Sequence, residues 1–283
     1  MSGPWIIVGC GYAGTRLARA LVGQGADVTI TRRERTVASD LAAELGAIGV
    51  RADLADPASL RGIIAPDAIV VCLAPPGPDP AGEQRVLIAA AADARKLVYV
   101  SSTGVYAPGG GAWVDEHWPL APVTPSGKAR VVAEAALAEA RIPWISLRVA
   151  GIHGPGRGLV DRIRAGTYRI IGDGRAHVSR IHVDDLVAAI VAAGTSTVTG
   201  AVNVADDDPS PIGEVADAVA ARFGMPAPPR VSPDSVPPEV AGMLTADRKI
   251  ANRRLREDLG VVLRYPSWRS VLDEPRPTDA ARP

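Results

Sequence analysis

Near its amino-terminal end the chain reads Trp5-Ile-Ile-Val-Gly-Cys-Gly-Tyr-Ala-Gly14, an apolar run followed by glycines at G-x-G-x-x-G spacing. The apolar run predicts a buried strand, and the glycines predict a tight turn into a helix. Gly9 permits the turn, Gly11 lets the backbone approach a pyrophosphate, and Gly14 lets helix and strand pack closely. The free N–H groups at the start of such a helix suit phosphate groups. The run therefore predicts a dinucleotide-binding site; a glycine turn used only for packing is the alternative.

The residues after the second predicted strand favour one kind of dinucleotide. An NAD-preferring site needs an acidic residue about twenty positions after the glycines, where it binds the ribose 2′-hydroxyl. Here Arg32 and Arg33 follow the strand, and the first acidic residue is Glu34. Two guanidinium groups supply charge and forked donors for a 2′-phosphate. The sequence therefore predicts NADP(H) rather than NAD(H); a solvated arginine pair is the alternative.

Outward from this loop, β-type runs alternate with Ala- and Leu-rich helical runs. The predicted strands are Trp5–Val8, Asp27–Thr31, Ile48–Arg51, Ala68–Leu73, Leu97–Ser101 and Trp144–Arg148. The predicted helices between them are Gly14–Gln24, Arg35–Leu45, Glu83–Ala94 and Ser126–Ala140. This alternation predicts an α/β fold with a Rossmann-type doubly wound parallel sheet. At its carboxyl edge we expect Asp53-Leu54 to meet an adenine and Leu73-Ala74-Pro75 to line the cofactor crevice.

The regular alternation of predicted strands and helices ends after Ala150. The later predicted elements are a strand, Val202–Ala205, and the helices Leu159–Arg164, Ile181–Ala193, Gly213–Phe223 and Asn252–Leu259. Met225–Pro238 contains six prolines and is predicted to be a surface crossover or lid. Pro275–Pro283 is predicted to be a frayed tail. We therefore predict an NADP(H)-binding Rossmann domain over residues 1–150, to which 178–205 return, and a smaller C-terminal substrate lobe over 151–283.

Composition excludes several classes of function. Lys+Arg and Asp+Glu each total 31 of the 283 residues, so the formal net charge is zero. A neutral chain has no general attraction to nucleic acid or to an anionic membrane. No apolar run is long enough to span a membrane, and we see no signal-peptide pattern. The two cysteines, Cys10 and Cys72, make no disulfide framework, so a cytoplasmic location is predicted.

Five sequence segments, taken in order, carry a resemblance to a known family. They are Gly9–Gly14, Asp53-Leu54, Val100-Ser-Ser-Thr-Gly-Val-Tyr106, Arg148-Val-Ala-Gly-Ile-His-Gly-Pro-Gly156 and Arg180-Ile-His-Val-Asp-Asp-Leu186. The chain resembles the extended short-chain dehydrogenase/reductases, also called the NAD-dependent epimerase/dehydratase family. The resemblance spans about residues 5 to 270. It implies a Rossmann lobe that binds the cofactor and a smaller lobe that binds substrate.

The resemblance also implies a catalytic group from which this sequence departs. The family uses a Ser or Thr after the fifth strand together with Tyr-x-x-x-Lys on the next helix. Ser102 matches the first position, but Ser126 stands where the tyrosine is expected and Arg130 where the lysine is expected. A serine hydroxyl is a far weaker acid than a phenol, whereas Arg130 can keep the ribose-binding role. The predicted cofactor-binding set is Gly9, Gly11, Tyr12, Ala13, Gly14, Arg32, Arg33, Asp53, Leu54, Leu73, Ala74, Pro75, Ser101, Arg130 and Val149.

Two residues are predicted as replacement proton donors, and no metal site is predicted. Tyr106 lies in the loop after Ser102, where family members place a tyrosine near the substrate. His153 lies in the glycine-rich segment, and an imidazole can titrate near neutral pH. A packing role is the alternative for each of them.

The function predicted from these observations is an NADP(H)-dependent oxidoreductase that acts on a small carbonyl or hydroxyl compound. A sugar-nucleotide substrate is less favoured because Val178 occupies the position at which such relatives carry a diphosphate-binding arginine. One alternative is a non-catalytic NADP(H)-binding redox sensor, motivated by the missing tyrosine. Another is an epimerase or dehydratase that retains its cofactor. A homodimer through helices Glu83–Ala94 and Ser126–Ala140 is also predicted as an option. The alternative is that the apolar faces of these helices pack on the sheet of their own chain.

Overall fold

The computed structural model describes residues 3–273, so the predicted tail Pro275–Pro283 lies outside the described residues. The strands are β1 Trp5–Val8, β2 Val28–Arg32, β3 Ile48–Arg51, β4 Ile69–Cys72, β5 Lys96–Ser102, β6 Trp113–Val114, β7 Trp144–Val149, β8 Gly151–His153, β9 Ile170–Ile171, β10 His177–Val178, β11 Arg180–His182, β12 Gly200–Val204, β13 Ser210–Pro211, β14 Arg230–Val231 and β15 Lys249–Ile250. The helices are α1 Tyr12–Gly23, α2 Arg35–Leu45, α3 Pro80–Ala90, α4 Pro125–Leu137, α5 Leu159–Arg164, α6 Val183–Thr195, α7 Ile212–Phe223, α8 Pro238–Leu244 and α9 Arg253–Glu257.

The main sheet has seven strands in the order β12-β7-β5-β4-β1-β2-β3. All six of its pairings are parallel. Helices cover both faces, which is why its strands read as nearly continuous apolar runs. The predicted Rossmann-type parallel sheet is therefore confirmed, and the late strand β12 adds a seventh member to the six predicted first.

Side-chain alternation along β1 shows how the two faces are filled. Trp5 and Ile7 point into one core, which contains residues of α1 and α6. Ile6 and Val8 point into the opposite core, which contains residues of α3 and α4. Successive side chains of a strand lie on opposite faces of the sheet. The glycine loop that follows β1 is thus held by a strand buried on both sides.

The C-terminal part builds a third apolar cluster from α5, α7 and the segment around Trp268. The strands outside the main sheet form short two-stranded sheets, in which β8 pairs with β11, β9 with β14, β10 with β13 and β6 with β15. The predicted helix Ile181–Ala193 is wrong at its start, because residues through His182 form β11. The His182 ring accepts a hydrogen bond from the Asp184 N–H, and the helix α6 begins only at Val183.

The proline-rich segment Met225–Pro238 is more ordered than a plain crossover. Arg230–Val231 forms β14, which pairs in parallel with β9. A short 3₁₀ turn follows at Pro233–Ser235, and α8 starts at Pro238. Proline tolerates each of these places, since they are short strands, turns and a first helical turn. None of the helices within residues 3–273 combines the length and apolar character that a membrane span requires.

The sheet order sets the position of the functional cleft. The chain runs outward from β1 through β2 and β3, and then crosses to β4 on the other side of β1. In such sheets ligands bind at the carboxyl ends of the strands where the order reverses. The loops after β1 and β4 therefore meet at this point.

Candidate functional site

A single cavity of about 1330 Å³ lies along the carboxyl edge of the main sheet and continues into the C-terminal part. Every residue of the predicted cofactor-binding set lines it. Of the predicted catalytic residues, Ser102, Ser126 and His153 also line it. Its volume exceeds the roughly 300–1,000 Å³ of a pocket for one small ligand. The cleft therefore has room for a dinucleotide and a second molecule.

The glycine loop fits a pyrophosphate by its backbone geometry. Gly9 has φ +82°, and a side chain there would lie 2.6 Å from the Ala74 backbone nitrogen. No atom lies within 4 Å of the place where a Cβ of Gly11 would project, so that backbone is open to the cleft. Helix α1 starts at Tyr12 without a side-chain cap, and its first N–H groups have no partner within the helix. An anion at this point would satisfy them.

Arg32 and Arg33 line the cleft where β2 ends. Neither guanidinium forms an ion pair or hydrogen bond with any residue in 3–273, and the Nε of Arg32 is buried without a partner. Buried donors are almost always satisfied in folded proteins. Asp53 lies at the same end, where its Oδ1 accepts a hydrogen bond from the Ala55 N–H at 3.1 Å. The pair of arginines is thus free to bind an anionic group.

Unpaired polar atoms also mark the other end of the predicted cofactor track. The Oγ of Ser101 and the Nε of Arg130 are buried, and neither has a partner among the described residues. Ser102 behaves differently, because its Oγ accepts a hydrogen bond from the Gly104 N–H at 3.0 Å. That contact leaves the hydroxyl proton of Ser102 available to a substrate oxygen. Ribose hydroxyls or an amide would satisfy Ser101 and Arg130.

Ser126 lies in the first turn of α4, which contains no tyrosine. Its hydroxyl donates to the Oε1 of Glu239, and its backbone N–H lies 3.3 Å from the Oε2 of the same carboxylate. Glu239 comes from α8, so this contact ties the C-terminal part to the rim of the cleft. A hydroxyl held by a carboxylate is poorly suited to replace a phenol as proton donor.

The prediction that Tyr106 is a proton donor is wrong on geometric grounds. The ring is fully buried and is not among the residues that line the cleft. Its hydroxyl donates to the Oδ1 of Asn203 at 2.6 Å and accepts from the Nη1 of Arg148 at 3.1 Å. Burial raises the pKa of this phenol to about 12, although the charge of Arg148 opposes the shift. Tyr106 is a packed ring under the Ser102 loop.

His153 lines the cleft, but its protonation state disfavours the predicted role. Burial, and then the charges of His182 and Arg180, lower its pKa to about 4. The ring is therefore neutral at pH 7 and carries no extra proton to deliver. It lies edge-on to His182, with 5.3 Å between ring centroids, and its Nε2 is buried without a partner among the described residues.

The structure shows a histidine–carboxylate pair that sequence reasoning missed. His177 of β10 and Asp247 both line the cleft. The Nδ1 of His177 and its backbone N–H each lie 2.8 Å from the Oδ1 of Asp247. Burial alone would raise the pKa of Asp247, but these hydrogen bonds and the charges of His177 and Lys249 lower it. Because the carboxylate holds Nδ1–H, Nε2 is left for a substrate, as in catalytic His–Asp pairs.

Nothing adjacent in the sequence links the two partners, which lie 70 positions apart. Contact between the two segments comes from the main chain, since the Arg248 N–H donates to the carbonyl of His177 at 3.2 Å. Within the part of the chain that the structure describes, no cluster of three or more His, Cys, Asp or Glu side chains could hold a metal ion.

Comparison with known proteins identifies the family. Residues 5–205 match the model of the NAD dependent epimerase/dehydratase family. The chain belongs to this family. Members of the family depend on NAD or NADP, and the cleft of this epimerase/dehydratase family protein holds its open glycine loop and unpaired polar atoms where such a cofactor would lie.

Two proteins more than 30% identical to this chain, and one more distant solved structure, are similar to it. A Streptomyces protein named 3-diazoavenalumate denitrifying reductase is 36% identical to this chain over an alignment of 201 residues. The match covers 65% of this chain and 66% of the relative's own length, which is just under two thirds. A functionally unknown conserved protein from Silicibacter pomeroyi DSS is 32% identical, with TM-score 0.83 and coverage of 96% and 97% of the two chains. The human epimerase family protein SDR39U1, solved with NADPH, is 20% identical, with TM-score 0.77 and coverage of 95% and 97%. At that identity the human protein shows the fold alone.

Proposed function

We propose that this protein is an NADPH-dependent reductase of a small carbonyl compound. The observation that carries the proposal is the arrangement of one cleft. Arg32 and Arg33, without partners in residues 3–273, line the cleft where β2 ends, and Ser102 and the His177–Asp247 pair line the same cleft. Two free guanidinium groups favour the 2′-phosphate of NADP(H) over a ribose hydroxyl.

The chain's own residues would share the work of carbonyl reduction as follows. When bound along the glycine loop, the nicotinamide cofactor would supply a hydride to the carbonyl carbon. Ser102 donates a hydrogen bond that orients the carbonyl oxygen. The charged ring of His177 gives its Nε2 proton to that oxygen as the C=O π bond breaks, and a proton from solvent restores the charged ring. Asp247 orients the ring and stabilises its charged form.

A second candidate reaction is the reductive removal of a diazo group. The name of the Streptomyces relative states such a reaction, and the absence of the family's phenol favours it. An aryl diazonium carbon can accept hydride without a proton: the C–H bond forms, and the C–N electron pair leaves with dinitrogen. Under this candidate His177 is dispensable for turnover, so the His177→Gln variant distinguishes the two reactions.

Replacing both Arg32 and Arg33 by alanine should raise the Kd for NADPH by about 10- to 100-fold, the equivalent of roughly 1.5–3 kcal/mol for a hydrogen bond to a charged group. The Kd for NADH should change little, because NADH lacks the 2′-phosphate. Fluorescence titration measures both constants. Arg35→Ala is the matched control, since Arg35 is exposed nearby in the chain but does not line the cleft. An equal loss for both nucleotides would refute a 2′-phosphate contact.

Turnover is tested with NADPH that carries deuterium at the transferred position of the nicotinamide. A panel of hydrophobic aldehydes, ketones and aryl diazonium salts serves as acceptors. Deuterium on the former carbonyl carbon supports carbonyl reduction, and deuterium on the ring with release of dinitrogen supports the second candidate. Cofactor binding without deuterium transfer to any acceptor would contradict both reactions.

A further inference from the structure

Beyond Ser102 the cleft has mostly apolar walls. These walls belong to the apolar cluster around Trp268 in the C-terminal part. The residues of this cluster that line the cleft include Tyr168, Ile212, Val215, Val219, Leu244 and Trp268. The Nε1 of Trp268, a buried residue, donates to the Oγ of Ser210 at 2.9 Å, so that indole presents hydrocarbon rather than a free donor. A ligand in this half of the cleft would therefore contact chiefly hydrocarbon.

One partly buried cation without an ion pair lies in this apolar setting. Arg180 of β11 lines the cleft and forms no ion pair with any residue of 3–273. Its Nη1 donates to the Val178 carbonyl at 2.9 Å, which leaves most of its five donors unused. Burial lowers the pKa of this guanidinium, against the opposing effect of Tyr168, Asp206 and Asp208. The group nevertheless remains charged at neutral pH.

The acidic groups near Arg180 do not neutralise it. Asp208 is bound by Ser210, Ser267 and Arg269. Asp206 is 1% exposed, and burial raises its pKa to about 7 despite the lowering effect of Arg180. Neither carboxylate lies within 4.0 Å of the Arg180 guanidinium, the distance that defines an ion pair. A partly desolvated cation without a close counter-ion is costly, and an anion that arrives with a ligand would offset that cost.

A second arginine that lines this side of the cleft is already engaged. Arg248 donates to the carbonyls of Ala107, Thr103 and Tyr106 at 2.9, 3.2 and 2.7 Å. It holds the loop after Ser102 and has no fork left for a ligand. Arg162 also lines the cleft and lies over the Tyr168 ring, but it is exposed to solvent. Arg180 is therefore the partly buried guanidinium with free donors among these apolar walls.

We infer that the second half of the cleft binds a small hydrophobic carboxylate, whose anionic group pairs with Arg180 and whose hydrocarbon part lies against Tyr168 and Trp268. A planar carboxylate matches the fork of one guanidinium, and one partly buried fork among largely apolar walls suits a carboxylate better than a diphosphate. The inference rests on the proposed function for the role of this half as the substrate site. It narrows the substrate class to acceptors that also carry an acid group.

The test uses 3-phenylpropanoate and its neutral amide, 3-phenylpropanamide, as probes for isothermal titration of the full chain, with and without saturating NADP⁺. The acid should bind at millimolar or lower concentration, and the amide more weakly. Arg180→Gln should raise the Kd of the acid by about 10- to 100-fold, as expected for loss of a charge-assisted hydrogen bond. Its effect on the amide should be small.

Arg162→Gln is the matched control, because Arg162 also lines the cleft but is exposed. Arg180→Lys keeps the charge without the fork and should retain part of the affinity, which separates a lost contact from a damaged fold. NADPH binding by each variant reports on the cofactor half independently. Absence of 3-phenylpropanoate binding to the native chain, or equal losses in the Arg180 and Arg162 variants, would overturn the inference. Failure of NADPH to bind would instead count against the proposed function.

Discussion

His177→Gln is expected to lower the turnover number for carbonyl reduction by about 10²- to 10⁴-fold, the usual contribution of a positioned proton donor. The physical reason is that Gln is neutral and cannot release a proton to the substrate oxygen at neutral pH. The KM should change less, since the side chain acts on the oxygen as charge develops there. Steady-state kinetics with an acceptor found by the deuterium panel measures both constants.

Asp247→Asn should give a smaller fall in turnover, because Asn still contacts the ring but no longer stabilises its charged form. His117→Gln is the matched control: His117 lies 3.8 Å from Asp115 in a similar pair, but its side chain is 89% exposed and it does not line the cleft. If the His177→Gln variant reduces a carbonyl compound with an unchanged turnover number, the proton comes from another group. That result would contradict the role of the His177–Asp247 pair as proton donor.

The second large effect concerns the support of the site. Glu134→Ala is expected to lower the free energy of unfolding by about 3–5 kcal/mol, the usual cost of removing one partner of a buried ion pair. The Glu134 carboxylate accepts from the Nη2 of Arg148 at 2.7 Å and from the Oγ of Ser146 at 2.9 Å. The Glu134 and Arg148 side chains are 8% and 7% exposed. The variant leaves a buried guanidinium without its counter-ion.

Urea unfolding of Glu134→Ala measures this effect, with Glu139→Ala as the control. Glu139 pairs with Arg85 on the surface, where both side chains are more than half exposed, so its loss should change stability much less. Because Glu134 ties α4 to β7, its loss should also loosen the helix that carries Ser126 and Arg130. Equal stability of the two variants would show that the buried pair contributes little.

The cofactor half of the cleft could be predicted from the sequence because strand ends converge. Gly9 and Ala74 follow strands of one parallel sheet, and Arg32 is the last residue of another. Parallel strands place their carboxyl ends at one edge. Once the strands are recognised, the residues after them are brought together without further information. This is why every predicted cofactor residue lines the same cleft.

The substrate half could not be predicted in the same way. Its strands are two or three residues long, such as β10 and β14, and their conformation is set by pairing with distant segments rather than by local periodicity. His177 meets Asp247 through the hydrogen bond from the Arg248 N–H to the His177 carbonyl, which joins two segments far apart in the sequence. The sequence shows that Tyr106 follows Ser102, and for this reason it was predicted as a proton donor. It does not show that Asn203 and Arg148 bind the Tyr106 hydroxyl in the interior of the protein.

The central claim, that the cleft binds NADP(H) through its free arginines, is tested most directly by titrating the native chain with NADPH and then NADH. The quench of its five tryptophans and the shift in Tm report binding, since a ligand at about 100 times its Kd stabilises the fold by roughly 2.7 kcal/mol. The account predicts that NADPH binds about 10- to 100-fold more tightly than NADH. Equal affinities, or tighter binding of NADH, would contradict it.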